Sequence, residues 1–388
     1  MLKKIVLTRT DNFIKKDFQN VYLSRGCFSY DLEKKYPNEL KKISRYHWKD
    51  YEKLKRDKKY FNDLLDRIFP SLISRLNSIN NKNFSTKFWK ILITHWLHSF
   101  IYINFDHWEM VNNLELDEEK YCIDTFEFDE KEIIPRTLED YIRLFGSDSW
   151  RHIMVRKIFK FKFSKNNKKI EYLINNNLKN DIKELRISIG NYQRNYIKKI
   201  IINLYNKIFG FVLKNQKFFV ARTYLGKIKE LLLSFSLFQL PIISVPNIYN
   251  LSTEPIIKLR NGSSLNFTPK SDFEKFLKLE IMNQIPISFL EGFDEIEEII
   301  QKLNFPKTPK SIFVSNSHHK SLLTRYCAKN ADNGCKIIHG QYGGSYGQWD
   351  MHWLEKYYKE ISDIYLTWGW KDHKNTLPIG ILRPLSYK

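Results

Sequence analysis

The sequence predicts an α/β fold, a Rossmann-like parallel sheet carrying a large helical insertion. Three observations predict it. The final third alternates short apolar strands with helical stretches over short connections, the pattern of parallel strands joined by right-handed crossovers. The chain opens on an apolar run at residues 4–8 that reads as a short buried strand. Between them lies a long helix-rich region with no internal repeat and no low-complexity linker. The expected division is residues 1–30 and 305–388 as the Rossmann-like core and residues 31–304 as the insertion, with strand 4–8 in the same sheet as the carboxyl-terminal strands.

The elements follow in order. After strand 4–8 and a polar loop, Val21-Tyr22-Leu23 leads into Ser24-Arg25-Gly26-Cys27. Residues 37–79 are helical, strongly charged and expected to break at Pro70, because proline removes a helix hydrogen bond. Ser85 caps the next helix, whose Phe88, Trp89, Leu92, Ile93, Trp96 and Leu97 recur at helical spacing. His95 and His98 beside that stripe read as structural or surface histidines rather than ligands. Residues 111–135 are acidic and read as irregular. Thr137 caps another helix, with Glu139 and Asp140 at its positive end. Over 156–169 basic residues interleave with Phe159, Phe161 and Phe163. Such a ribbon could stack bases, but a β-strand with lysines on its wet face is the preferred reading. Residues 180–215 form a long amphipathic helix. The apolar stretch 231–245 is interrupted by Ser234, Ser236, Gln239 and Pro241, so it reads as a buried helix running into a strand. After Pro306 and Pro309 come a strand at 311–315, a helix at 319–330, a strand at 335–339, a helix at about 351–361 and a strand at 363–368.

Composition bounds the function. Of 388 residues, 43% are hydrophobic and 15% aromatic, which excludes disordered and collagen-like chains. The net charge of +21 fits a polyanionic partner such as nucleic acid, an anionic membrane surface or a phosphorylated substrate, or else compositional bias toward lysine. Four cysteines without a C-x-x-C pair form neither a disulfide framework nor a zinc site and read as free cytosolic thiols. The first residues carry too short an apolar stretch for a signal peptide, and no run of about 18 apolar residues occurs to span a bilayer. The expected location is the cytoplasm, with peripheral attachment to the inner membrane.

In parallel sheets ligands bind beyond the carboxyl ends of the strands. Three loops meet there: residues 315–318, 339–347 and 368–370. The middle loop, His339-Gly340-Gln341-Tyr342-Gly343-Gly344-Ser345-Tyr346-Gly347, is rich in glycine, which allows backbone N–H groups to cradle an anionic oxygen. His339 is the candidate general base, since an imidazole accepts a proton near neutral pH. Gln341, Tyr342, Gly343, Gly344 and Tyr346 are candidate ligand-binding residues, as are Ser315, Asn316 and His318 on the first loop. Trp368 and Trp370 offer faces for a sugar ring or base, or for a core. The loop is neither a P-loop nor a G-x-G-x-x-G fingerprint, no nucleophile elbow occurs, and no metal triad or cofactor motif is visible.

The segment 338–347, followed by Ile361-Ser362-Asp363-Ile364-Tyr365-Leu366-Thr367-Trp368-Gly369-Trp370, resembles a family of bacterial transferases associated with O-antigen, capsular and flagellar sugar loci. Leu23-Ser24-Arg25-Gly26-Cys27, the tryptophan-rich helix from Phe88 and Thr223-Tyr224-Leu225 also look like family motifs. The departures are Tyr342 where the family has histidine in its glutamine-histidine-glycine-glycine loop, and Ser24-Arg25-Gly26 in place of glycine-glutamate-tryptophan. The stretch from Pro378 to Pro384 resembles the lead-in to the family's second half, so the resemblance implies a chain that lacks the family's second, donor-binding domain after residue 388.

The resemblance implies the amino-terminal half of a GT-B-like architecture. It implies a transferase that moves a sugar from a nucleotide-activated donor to a lipid-linked or protein acceptor in surface polysaccharide synthesis, with no separate cofactor. The alternatives are a non-catalytic remnant, or one subunit of a split transferase that pairs with a complementary carboxyl-terminal chain. A nucleic-acid-binding protein driven by charge is the third reading. The scattering of the lysines and the lack of a recognised motif count against it.

Overall fold

Strand β1 (Lys3–Val6) buries Ile5 and Val6 completely and pairs in parallel with β2 (Gln19–Tyr22) and β3 (Tyr121–Thr125). Strand β4 (Ile170–Ile174) completes a four-stranded sheet in the order β2-β1-β3-β4. A second sheet runs β5 (Phe218–Val220), β6 (Ser311–Val314), β7 (Lys336–Gly340), β8 (Ile364–Thr367) and β9 (Thr376–Pro378), again wholly parallel. This is a computed structural model, and it describes residues 3–9, 19–117, 120–163, 170–175, 181–182, 184–186, 196–261, 265–348 and 352–382.

The chain is thus an α/β protein with many helices between its parallel strands, as expected. The single shared sheet is not observed. Residues 3–6 lie in the first sheet, where Lys4 Nζ meets Asp124 of β3 at 2.7 Å, both side chains nearly buried. A buried charge needs such a partner, so this pair fixes β1 beside β3. Strand β3 itself comes from the acidic stretch read as irregular, and all five of its residues are buried.

The helices are α1 (Tyr30–Lys35), α2 (Pro37–Leu40), α3 (Tyr51–Ile79), α4 (Thr86–Asn112), α5 (Leu138–Gly146), α6 (Asp148–Phe163), α7 (Tyr196–Lys214), α8 (Lys227–Ser236), α9 (Ile257–Asn261), α10 (Asp272–Gln284), α11 (Phe293–Lys302), α12 (Ser321–Asp332) and α13 (Trp353–Ile361). Ser85 caps α4 by accepting from the Phe88 N–H, and Thr137 caps α5 by accepting from the Asp140 N–H, as the sequence indicates. Helices α12 and α13 each cross from one strand to the next in the same direction, which places them on one face of the second sheet. Helix α4 packs on both of them, and also on α3, α6 and α10. It is the shared centre of the two halves.

Several expectations need correction. Helix α3 does not break at Pro70 but runs through it. Pro70 faces solvent while Leu64, Ile68, Phe69, Leu72 and Leu76 are buried, so packing offsets the missing hydrogen bond. Residues 156–163 are the end of α6, not a strand. Trp150, Ile153, Ile158 and Phe159 bury a helical stripe, and the lysine–phenylalanine alternation spans only the last turn. The basic groups there are used internally: Lys157 bonds Glu280 at 3.0 Å, and Lys162 lies 4.8 Å from the Trp108 ring centroid. Of the helix expected over 180–215, residues 196–214 form α7, and 187–195 lie outside the described residues. Helix α8 is not buried, and no strand follows it; Pro241 and Pro246 remove donors a ladder would need.

Candidate functional site

The carboxyl ends of β5 to β8 bring the three expected loops together and add a fourth. Ser315, just past β6, donates its N–H to Arg222 O at 3.0 Å and its hydroxyl to Thr223 O at 2.7 Å. Tyr342, past β7, places its hydroxyl 3.4 Å from His318 Nε2. Tyr224 stacks near Trp368, with ring centroids 6.2 Å apart. Loops 222–226, 315–320, 341–347 and 368–370 therefore share one rim.

Within that rim most of the expected ligand groups are scaffold. His339 is fully buried on the central strand. Its Nε2 lies 3.0 Å from Ser317 Oγ and its Nδ1 2.8 Å from Ser362 Oγ, so both ring nitrogens are engaged. Burial lowers its pKa to about 3, against a weak opposing pull from Asp363. The residue expected to act as general base thus has both ring nitrogens held by serine hydroxyls of the protein itself. Gln341 is buried too. Its Oε1 accepts from Trp368 N–H and from Trp370 Nε1–H, each at 2.9 Å, and its Nε2 donates to Gly343 O at 2.7 Å. It ties two loops together rather than facing a ligand. Tyr346 is buried, packed 3.2 Å from where a Cβ on Gly343 would lie. Gly347 has φ +77°, and a Cβ there would come within 2.8 Å of the Trp370 indole. Gly344 has open space around it.

Three groups, Asn316, Tyr342 and Trp368, retain capacity to meet a ligand, and His318 supports them from below. Asn316 Oδ1 is buried with no hydrogen-bond partner among the described residues. Tyr342 and Trp368 are half-buried at the rim. His318 is buried between His95, stacked 4.4 Å away, and His319, whose Nδ1 lies 3.2 Å from His318 Nε2. His318 Nδ1 meets the Tyr358 hydroxyl. Burial, with neighbouring imidazoles and Lys320, holds His318 well below the usual histidine range. His319 is lowered to about 4, first by burial and then by Lys320 and Arg222. Both rings are neutral at physiological pH. His95, read as structural, sits within this stack.

Sequence reasoning missed the cations. Lys320 is buried, and burial is the main force lowering its pKa; Glu139 opposes it, while Arg222 and Arg143 add to it. A cluster of repelling cations with one neighbouring carboxylate is a site of positive potential. Arg222 and Tyr224 both hold left-handed backbone, φ 54° and 64°, on either side of Thr223, whose N–H and hydroxyl each reach Glu230 at 2.9 Å. Such conformations in bulky residues are uncommon and cluster at functional sites. The signal available in sequence was the His318-His319-Lys320 run after a strand.

A cleft of about 1030 Å³ opens at the carboxyl ends of β1 and β2. Its wall includes Arg45, His47 and Arg151, and Asp106 and His107 of α4. His47 Nε2 stands 3.4 Å from Asp106 Oδ1. Burial raises the Asp106 carboxyl to about 6 and lowers His47 to about 4, so this is a contact between a carboxyl and a neutral ring, not an ion pair. Both ring nitrogens of His47 and Nδ1 of His107 are buried without hydrogen bonds among the described residues. Along α4, Asp106 lies eleven residues from His95, roughly 16 Å at the helical rise. One helix thus carries a wall of each site.

Among the described residues no cluster of histidine, cysteine or acidic groups could hold a metal ion, and no helix is long and apolar enough to cross a membrane. The sequence model of a family described as LIC12162 family transferase matches residues 3–386. No curated protein matches the chain, and no solved structure does.

Proposed function

Because the chain belongs to the LIC12162 family of transferases, we propose that it moves a sugar from a nucleotide-activated donor to a lipid-linked or protein acceptor in bacterial surface polysaccharide synthesis. The observation that carries this reading is the cationic rim of the second sheet, where Arg222 and Lys320, with the neutral ring of His319, adjoin the aromatic faces of Tyr224, Tyr342 and Trp368. Cations suit a diphosphate, and flat rings suit a base or sugar.

In this reading the donor diphosphate lies against Arg222, His319 and Lys320. The acceptor occupies the cleft between β1, β2 and α4, and reaches along α4 toward the donor. Its hydroxyl oxygen bonds to the anomeric carbon as the bond from that carbon to the diphosphate oxygen breaks. The electron pair leaves with the nucleoside diphosphate. The hydroxyl proton passes to His319, which takes the role first read for His339. Its Nδ1 is braced by His318, and its Nε2 carries no hydrogen bond among the described residues. A neutral imidazole beside a departing diphosphate gains basicity as negative charge develops there.

The test is calorimetric titration of the full chain with UDP-, GDP-, CMP- and CDP-sugars. One nucleotide class is expected to bind saturably at moderate salt, with Lys320→Ala weakening it at least about tenfold, the loss typical of a charge-assisted contact. No binding to any of them, or equal binding by the variant, overturns the assignment.

A further inference from the structure

Helices α7 and α8 flank the edge strand β5, and each turns an apolar stripe to solvent. On α7 the stripe is Ile201, Leu204, Ile208 and Phe211, spaced three or four residues apart, with Phe211 83% exposed. On α8 it continues through Ile228, Leu232, Phe235 and, just past the helix, Phe238, which is 98% exposed. The segment just past α8 ties back to the middle of α7 and to the residues after it. Tyr205 of α7 donates its hydroxyl to Pro241 O at 2.9 Å, and Leu240 donates its N–H to Gln216 Oε1 at 2.6 Å. Apolar residues at helical spacing belong against something. Soluble monomers rarely expose a contiguous apolar patch beyond a few hundred Å².

Phe238 adds a second sign. Its φ is 54°, left-handed backbone that a bulky side chain seldom adopts. The turn is closed by the Phe238 N–H donating to Phe235 O at 2.9 Å, and it holds the ring fully outward. A strained backbone that presents phenylalanine to water is costly unless the ring has a destination.

The charges around the stripes say what that destination is. Lys207, Lys217, Lys227 and Lys229 are exposed beside them. Residues 196–243 contain one acidic residue, Glu230, and its carboxylate is bonded to Thr223. A second copy docked on this face would oppose lysine to lysine with no acid to compensate. A nucleic acid would leave the apolar stripes unused. An anionic bilayer satisfies both features: apolar side chains enter the boundary of the acyl chains, and lysines meet the head groups.

We propose that the α7–α8 face docks the protein, without spanning, onto a bilayer containing anionic lipid. This inference stands apart from the sugar-transfer reading, since none of these residues lies on the cationic rim or in the cleft. The face is assembled beside β5, whose carboxyl end carries Arg222 and Tyr224. Docking there would hold the rim close to the surface on which a lipid-linked acceptor is presented.

The experiment is co-sedimentation of the full chain with phosphatidylcholine vesicles, with and without phosphatidylglycerol, at low and moderate salt. The wild type is expected to bind only the anionic vesicles. The double variant Phe211→Glu/Phe238→Glu should partition at least about tenfold less, because two large side chains no longer enter the lipid. Both positions are solvent-exposed, so circular dichroism should be unchanged. Donor binding measured on the same variant separates this inference from the preceding one: loss of vesicle binding with an intact donor isotherm supports the docking face. Absence of binding to anionic vesicles overturns the proposal. So does binding that the double variant leaves intact, which would be charge attraction alone. A wild-type dimer in sedimentation equilibrium that the variant dissociates, without vesicle binding, would instead make the face a contact between copies.

Discussion

His339 bridges two serine hydroxyls from different loops, Ser317 after β6 and Ser362 before β8. Removing the ring takes the partner from the buried Ser317 hydroxyl, while Ser362 keeps its bond to Tyr358 O, and opens a cavity against Tyr358, whose ring centroid lies 4.7 Å away. His339→Ala is therefore expected to lose about 2–4 kcal/mol of stability in urea titrations, a cavity cost plus an unpaired polar cost. Under conditions where the variant remains folded, its donor affinity should stay within a few-fold of wild type. A collapse of binding with unchanged stability would restore His339 as a ligand group. The sequence placed this histidine correctly at a strand end but did not show its burial, because depth of burial is set by the loops that fold over it. His319 is the reverse case. Its neighbour Lys320 is the telling residue, but a histidine–lysine pair after a strand looks like any solvated helix start until Arg143 and Arg222, far away in sequence, are brought beside it.

Among the elements, α3 shows how much packing decides. Its Pro70 leaves the Asp66 carbonyl without the usual helix donor, yet the 29-residue helix runs on to Ile79 because its buried face is unbroken. Pro70→Ala restores that donor on an exposed position, so it is expected to raise stability by about 1–3 kcal/mol, read as a higher urea midpoint at constant slope. A loss of stability would mean that the proline's own ring contacts matter more than the missing bond. The strands β6, β7 and β8 were legible because their apolar runs are bounded by proline, glycine and short turns. The caps Ser85 and Thr137 were legible because a cap acts within three residues. Strand β3 was not: Tyr121-Cys122-Ile123-Asp124-Thr125 is buried on both faces, and its aspartate is tolerated because Lys4 and Asn175 both donate to it. The exposed stripe of α8 read as buried for the plain reason that apolar periodicity does not say which surface will cover it.

At the scale of the molecule, the two-sheet frame could not be read locally, since β1 finds its neighbours at residues 19–22 and 121–125. The same frame encloses a set of neutral histidines. Burial lowers His47 and His152 to about 4, and His98, His107 and His339 to about 3, each from an ordinary 6.5. In the unfolded chain these rings take up protons below pH 6.5, whereas in the fold they do not until about pH 3–4. Stability from this source is complete above pH 6.5 and is lost as pH falls below it, at up to ~1.4 kcal/mol per pH unit for each ring. Asp106 and Glu139, both raised by burial, act in the opposite direction but are fewer. The expected outcome is a thermal midpoint that drops steeply between pH 6.5 and 4.5, with proton uptake on unfolding. A midpoint that is flat across that window would mean the rings are not enclosed as described.

Helix α4 has a consequence in time. Its apolar sides are covered by α3 and α6, synthesised soon before or after it, and also by α12 and α13, which emerge more than two hundred residues later. At ribosomal rates of about 5–20 residues per second, the surface that receives α12 and α13 waits roughly 10–50 s for them. During that interval the nascent chain presents Phe88, Ile91, His95 and their neighbours to whatever is nearby. The amino-terminal half emerging alone is therefore a natural client for chaperones. Ribosome-bound chains stalled before residue 321 should be far more prone to aggregate than chains released at full length.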